Sequence, residues 1–349
     1  MEKDKKRTKK KNRKRLIGKG DIKMASKSIL DLVGNTPLVE LKGFDEKNGL
    51  GGNIYAKLEY FNPTGSVKDR VAKYLIEEAE KSGKLKPGDT IFENTSGNTG
   101  IALAAFGAAK GNKVIIALEP GVSPERTQIL KAYGAEVKSF FDIPRVQEIM
   151  MSKDATFQSS IDAMEAYAVA NGYYYPNQCG NDANVKAHYE TTGPEIYEQL
   201  DGKVDIFVAM CGTGGTVAGV SRYLKEKNKD AKVVLVLPDE DSLPAPGKTT
   251  PKIDGIMKLH GKDDPFAPIF FKRHGFNYDE EIVVSATEAY KLAREVASTD
   301  GVFVGESSAA ALVAAKELAK RPENKGKNIV VLFADGGMKY LSSSIYAAD

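Results

Sequence analysis

The chain has 349 residues, 42% of them hydrophobic and 28% charged, with no tryptophan and two cysteines. That length and apolar fraction suffice for two packed cores, and no apolar run approaches the roughly 20 residues that span a bilayer, which excludes a membrane-spanning reading. The formal charge of +3 hides an asymmetry: residues 1–23 hold 12 Lys/Arg against 3 Asp/Glu, which leaves 38 basic and 44 acidic residues for the rest.

The basic, apolar-poor opening over residues 1–23 cannot bury enough surface to fold and is predicted to be disordered. It reads either as an arm for nucleic acid or a membrane surface, or as an extension ahead of the folded region; the second reading is adopted. It lacks the apolar core of a secretory signal. Cys179 and Cys211 form no disulfide framework, as expected of a cytoplasmic protein in a reducing compartment. His188, His260 and His274 lie far apart without metal-ligand spacing. Each is read as a hydrogen-bonded structural or surface residue, and no metal is predicted. Alternating strand and helix patterns along the body imply an α/β architecture.

Three segments carry chemistry. In Asn62-Pro63-Thr64-Gly65-Ser66-Val67-Lys68-Asp69-Arg70 a turn runs into a helix start. A lysine amine there, at the positive end of the helix dipole and partly shielded from water, has its charged form disfavoured and can attack an aldehyde. Alone, the same pattern also fits a solvated surface charge. The second segment, Asn94-Thr95-Ser96-Gly97-Asn98-Thr99-Gly100, joins an apolar strand end to the small-residue helix pattern Ile101–Ala109. Its hydroxyls and backbone N–H groups suit an anion, although an ordinary capped helix start would read alike.

The third, Cys211-Gly212-Thr213-Gly214-Gly215-Thr216, follows the buried-strand run 204–210 and precedes a helical run. Strand, glycine loop and helix present free amides and a helix dipole to a phosphate, unless the glycines merely turn tightly. No Lys-Ser or Lys-Thr closes a nucleotide phosphate loop, and the third glycine of the dinucleotide fingerprint is displaced.

A nucleophilic lysine, a hydroxyl-rich anion loop and a phosphate cup without nucleotide features together describe a pyridoxal 5'-phosphate site. The chain resembles the cysteine synthase and cystathionine β-synthase family, of the tryptophan synthase β-type fold, from about Ser28 to Tyr346. The likeness includes Leu32-Val33-Gly34-Asn35-Thr36-Pro37-Leu38-Val39, Leu130-Lys131-Ala132-Tyr133-Gly134-Ala135-Glu136, Thr191-Thr192-Gly193-Pro194-Glu195-Ile196 and Lys325-Gly326-Lys327-Asn328-Ile329-Val330-Val331. The family-like region starts at Met24.

The resemblance implies two open twisted α/β domains of fold type II. The larger, cofactor-binding domain would take residues 24–62 and 169–349, and the smaller, mobile one residues 63–168. It further implies that Lys68 forms the internal aldimine and then removes the substrate's Cα proton. Gly212, Thr213, Gly214, Gly215 and Thr216 would hold the phosphate, and Asn98 the ring hydroxyl. Thr95, Ser96, Asn98 and Thr99, with Gln178, would bind the substrate carboxylate. The expected assembly is a two-fold homodimer helped by the apolar segment Ile29-Leu30-Asp31-Leu32-Val33.

Three positions depart from the family pattern. Where relatives place a serine at the pyridine nitrogen, Ala334-Asp335-Gly336-Gly337 offers either Asp335, which would favour a protonated ring, or Gly336, which has no side chain. Glu306 in Gly305-Glu306-Ser307-Ser308 stands for an apolar residue, and either faces solvent or acts at the site. In Lys252-Ile253-Asp254-Gly255-Ile256-Met257-Lys258 a short carboxylate, Asp254, replaces the usual glutamine or glutamate. A carboxylate beside the β-carbon would deprotonate water; alternatively Asp254 caps or pairs with Lys252 or Lys258.

The expected activity is β-replacement through an α-aminoacrylate on a small amino-acid substrate, L-cysteine or an activated L-serine, in cysteine and hydrogen sulfide metabolism. The direction stays open between L-cysteine plus water giving L-serine and hydrogen sulfide, and synthesis of L-cysteine from O-acetylserine or O-phosphoserine and sulfide. A serine or threonine deaminase is a more distant reading, and so is a non-catalytic binding protein, against which Lys68 argues.

Overall fold

The computed structural model describes residues 25–95, 97–118, 122–152, 156–244, 251–256, 259 and 267–347. The tail read over residues 1–23, together with Met24, Ser96, Met257, Lys258 and His260, lies outside the described residues.

Among the described residues, nine strands form two sheets. The larger has six strands: β1 (Leu38–Glu40), β2 (Asn53–Leu58), β6 (Ile206–Met210), β7 (Lys232–Pro238), β8 (Glu280–Val284) and β9 (Asn328–Phe333). Their order is β1-β2-β9-β6-β7-β8, with β1 antiparallel and every other pair parallel. The smaller sheet is parallel, in the order β3 (Thr90–Thr95), β4 (Lys113–Leu118), β5 (Glu136–Ser139). This is the α/β class expected.

The central strands read as near-continuous apolar runs because helices cover both faces of the sheet. On one face of the large sheet, Val208, Val234, Ile329 and Val331 pack with Leu292, Val296, Leu312 and Ala315 of helices Ala286–Asp300 and Glu306–Lys320. On the other, Phe207, Ala209, Val233 and Val330 meet Val217, Val220 and Leu224 of helix Gly215–Lys227. In the small sheet, Ile91, Val114 and Ile116 pack with the helices Lys68–Lys81 and Asn98–Lys110. Phe92 and Ile115 pack on its other face with Met164 and Ala168 of helix Phe157–Ala170.

Parallel strands bring their carboxyl ends to one side, where open α/β sheets place ligands. Three junctions meet there: β3 into helix Asn98–Lys110, β6 into helix Gly215–Lys227, and β9 into the turn at Asp335. The start of helix Lys68–Lys81 is tied to the last of these, since the Val67 N–H donates to the Ala334 carbonyl at 2.8 Å.

A buried ion cluster anchors the same helix. Arg70 is 1% exposed and pairs with Glu59 and with Glu195 at 2.7 Å each, and Lys57 pairs with Glu195 at 2.8 Å. Two cations against two carboxylates compensate one another, which lets the cluster persist at this depth.

Candidate active site

Two joined cavity lobes occupy the meeting point of the strand ends. The inner lobe is lined by Lys68, Gly212, Thr213, Gly214, Thr216 and Ser307. The outer lobe shares Lys68, Gly212, Thr213 and Ser307 and adds Thr95, Asn98, Thr99 and Gln178 on one side, and Arg126, Asp254, Asp335 and Tyr340 on the other. Of the residues expected from the sequence to be catalytic or to bind cofactor or substrate carboxylate, all the described ones except Gly215 line these lobes, and Gly215 starts the helix behind the glycine loop. Glu306 does not line them.

Lys68 is the first residue of its helix and is half-buried. Burial lowers the pKa of its ammonium, against the opposing influence of Cys179, Cys211 and Asp335. A neutral amine is the nucleophilic form, so the site favours the reactive state.

The glycine loop is shaped by contacts that leave no room for side chains. Gly214 has φ of +82°, which L residues rarely adopt, and a Cβ there would lie 2.7 Å from Pro268. A Cβ on Gly215 would overlap the Asn184 side chain. Asn184 in turn donates to the Thr213 hydroxyl at 2.9 Å and to the Gln178 carbonyl at 2.8 Å, so it joins the loop to the outer lobe. The Thr216 hydroxyl lies 3.1 Å from Nε2 of His188, whose pKa is held well below its usual value by burial and then by the Lys68 and Arg70 charges. His188 is thus a neutral hydrogen-bonding partner of the loop, as the structural reading of the histidines expected.

The opposite rim is the hydroxyl loop. The Thr99 hydroxyl donates to Gln178 Oε1 at 2.6 Å, and the Gly97 N–H donates to the Thr95 hydroxyl at 3.1 Å. Behind it lies Glu93, 1% exposed, whose carboxyl accepts the backbone N–H groups of Asn94 and Gln178 at 3.1 Å each. Burial pushes its pKa up to about 8.

Asn98 is gripped at both ends of its amide: Lys339 donates to Oδ1 at 2.9 Å, and Nδ2 donates to Asp335 Oδ2 at 2.7 Å. The Tyr340 hydroxyl shares that oxygen at 2.7 Å, and Arg126 donates to the same hydroxyl at 2.9 Å. Asp335 Oδ1 is buried without a hydrogen-bond partner among the described residues. Asp335 therefore engages Asn98 and Tyr340, and Ser307 lines both lobes.

Of the two readings the sequence left open for Asp254, the pairing with Lys252 is present. Asp254 lines the outer lobe, and it pairs with Lys252 at 3.1 Å while Arg126 stands 3.8 Å away. Glu306 faces neither solvent nor cavity: it is 1% exposed and accepts the Asp254 N–H at 3.0 Å.

The sequence reading did not assign Ser307, Arg126, Tyr340, Cys179, Lys339 or Glu93. Lys339 and Tyr340 fall within seven residues of the end of β9, on the side where parallel sheets gather their ligands.

The residues fit a phosphorylated aldehyde cofactor. A glycine cradle that no Cβ could enter sits at the N-terminus of a 13-residue helix, beside a half-buried lysine and an orphaned carboxylate oxygen. Among the described residues, no group of three or more His, Cys, Asp or Glu could hold a metal ion, and no helix is long and apolar enough to cross a membrane.

Comparison with known proteins agrees with that chemistry. A family model described as pyridoxal-phosphate dependent enzyme matches residues 29–335. A cysteine synthase of Staphylococcus aureus is 38% identical over 323 residues, 92% of this chain and 97% of that protein. Among solved structures, a cysteine synthase of Entamoeba histolytica superposes with a TM-score of 0.78 at 40% identity, covering 96% of this chain and 95% of that one. A hydrogen sulfide-producing enzyme of Fusobacterium nucleatum gives 0.76 at 37% identity, covering 92% and 100%.

Proposed function

Since the chain belongs to the pyridoxal-phosphate dependent enzymes and is cysteine synthase-like, we propose that it releases hydrogen sulfide from L-cysteine, with water as the replacing nucleophile and L-serine as the product. The bound cofactor supplies an electron sink for the carbanion at the substrate's Cα.

The chain's own residues take the remaining roles. Gly212, Thr213, Gly214, Gly215 and Thr216 hold the phosphate with backbone amides and two hydroxyls, and Asn98 presents its amide to the ring hydroxyl. Ser307 is assigned to the ring nitrogen; Asp335 serves instead to orient Asn98. Lys68 would hold the cofactor and, as the nearby amine, would take the substrate's Cα proton. Thr95, Ser96, Asn98 and Thr99, with Gln178, bind the substrate carboxylate. The exposed apolar residues Leu32, Phe61, Met338 and Leu341 supply surface suited to the interface of a two-fold dimer, which sedimentation of the purified protein tests.

The observation that carries the reading is Asp254 on the outer wall. Its carboxylate lines the same lobe as Lys68, next to Gly255 and Ile256, where a water attacking the β-carbon would approach. Water is a poor nucleophile until a base takes its proton. In the overall exchange the C–S bond breaks, a C–O bond forms, and the proton removed from water leaves with the sulfide.

The test is product analysis of the purified protein given L-cysteine alone. Serine and sulfide should appear in equal amounts, and Asp254→Asn should slow serine formation by on the order of 10² to 10⁴ while cysteine still binds. Serine at the parental rate from that variant would remove Asp254 from the role. If the parent makes no serine from cysteine but makes cysteine from an activated serine and sulfide, the synthetic direction, which the names of the staphylococcal and amoebal relatives favour, replaces it.

A further inference from the structure

Glu306 opens the helix Glu306–Lys320 and is 1% exposed, a position where a carboxyl is unfavourable unless both oxygens are occupied. Both are. Oε2 accepts the Asp254 N–H at 3.0 Å, and Oε1 lies 2.7 Å from the Tyr290 hydroxyl. That hydroxyl also lies 3.0 Å from the Lys252 carbonyl.

A phenol has one proton to donate, so Tyr290 serves one acceptor at a time. When Glu306 is ionised, the phenol proton goes to the carboxylate. When Glu306 is protonated, its own O–H turns onto the Tyr290 oxygen and the phenol proton passes to the Lys252 carbonyl. The two states hold the backbone of Lys252–Asp254 by different bonds. The segment is otherwise anchored at Ile253, buried and donating its N–H to the Ser242 carbonyl at 2.9 Å.

We propose that Glu306 and Tyr290 are positioning residues: through the bond to the Asp254 amide and the exchange of the phenol proton with the Lys252 carbonyl, they place the Asp254 carboxylate on the cavity wall. This rests on the reading of Asp254 given above.

The groups facing Glu306 make the exchange accessible near neutral pH. Burial and then the Asp254 charge raise its pKa to about 7, while Tyr290, the Asp254 amide and Arg126 act in the other direction. Lys252 faces the other side of Asp254 at 3.1 Å, and Tyr290 itself stays protonated because burial and Glu306 raise its pKa.

The experiment compares the cofactor-loaded parent with Glu306→Gln, Glu306→Leu and Tyr290→Phe. It reads amide hydrogen exchange over residues 252–256 and serine formation against pH. Glu306→Leu should speed exchange of the Asp254 amide about tenfold or more, since its acceptor is gone. Glu306→Gln keeps an acceptor at that atom. It should retain the protection but lose the change in both protection and serine formation that the parent shows between about pH 6 and 8. Tyr290→Phe should lose the same pH dependence, and it remains informative if Glu306→Leu fails to fold.

Unchanged exchange over 252–256 in Glu306→Leu, or a parental pH dependence in both Glu306→Gln and Tyr290→Phe, overturns the proposal. A failure of the water-activating reading would show separately, as parental serine formation by Asp254→Asn.

Discussion

The amide of Asn98 and the carboxylate of Asp335 meet at 2.7 Å across 237 residues of sequence. With Lys339 on the amide's other end, this contact decides which face of Asn98 is turned to the cavity. Because the Asp335 carboxylate is buried and charge-assisted hydrogen bonds are the strong ones, the contact should govern cofactor affinity.

Asp335→Ala leaves Asn98 Nδ2 and the Tyr340 hydroxyl without their acceptor. Removing a charged acceptor from a buried pair costs about 1.5–3 kcal/mol, so the affinity for pyridoxal 5'-phosphate should fall roughly 10- to 100-fold. Titration of the cofactor-free protein, followed by absorbance, measures it. Unchanged affinity would mean that Lys339 alone orients Asn98.

Lys68→Ala should fold and still bind cofactor through the glycine loop, but lose the covalent adduct that borohydride traps in the parent. Mass spectrometry of the reduced protein gives the answer. An adduct surviving in the variant would place the reactive amine on another lysine.

Arg70→Ala strips Glu59, whose side chain is 0% exposed, of its ion-pair partner, and leaves Glu195, 15% exposed, with Lys57 as its remaining cation. Breaking a buried pair from one side costs on the order of 3–5 kcal/mol. Urea unfolding should show that loss, and a loss below about 1 kcal/mol would mean that solvent reaches the cluster. The side chain is two positions beyond Lys68, so the variant should also weaken cofactor retention.

Glu93 makes the stability pH-dependent. Its folded pKa of about 8 lies above the ordinary glutamate value of 4.5, so the fold favours the protonated form. That contribution is complete below about pH 4.5 and is lost as the pH rises through 8, with a total on the order of a few kcal/mol. Glu93→Gln should flatten the fall in unfolding free energy between pH 5 and 9. An equally steep fall in the variant would assign the dependence to other groups. Ionised Glu93 would also set a negative charge behind the hydroxyl loop, so the parent should bind substrate carboxylate less well above pH 8 than the variant does.

By itself the sequence determined the α/β class and the cofactor, and it singled out the lysine and the two loops that the structure brings to one cavity. Each of these is a local device, a strand end, a few loop residues and a helix start, whose chemistry is complete within about ten residues and so appears as a motif. Tertiary structure alone decided the partners of Asp335, Asp254 and Glu306. The order of the large sheet sets β9 between β2 and β6, which carries Asp335 to Asn98; the packing of helix Glu306–Lys320 under the segment at Ile253 carries Glu306 to Asp254, 52 residues away. Such pairings depend on which strands become neighbours and leave no spacing in the chain. A buried glutamate and a solvent-facing one therefore read alike until the core closes around them.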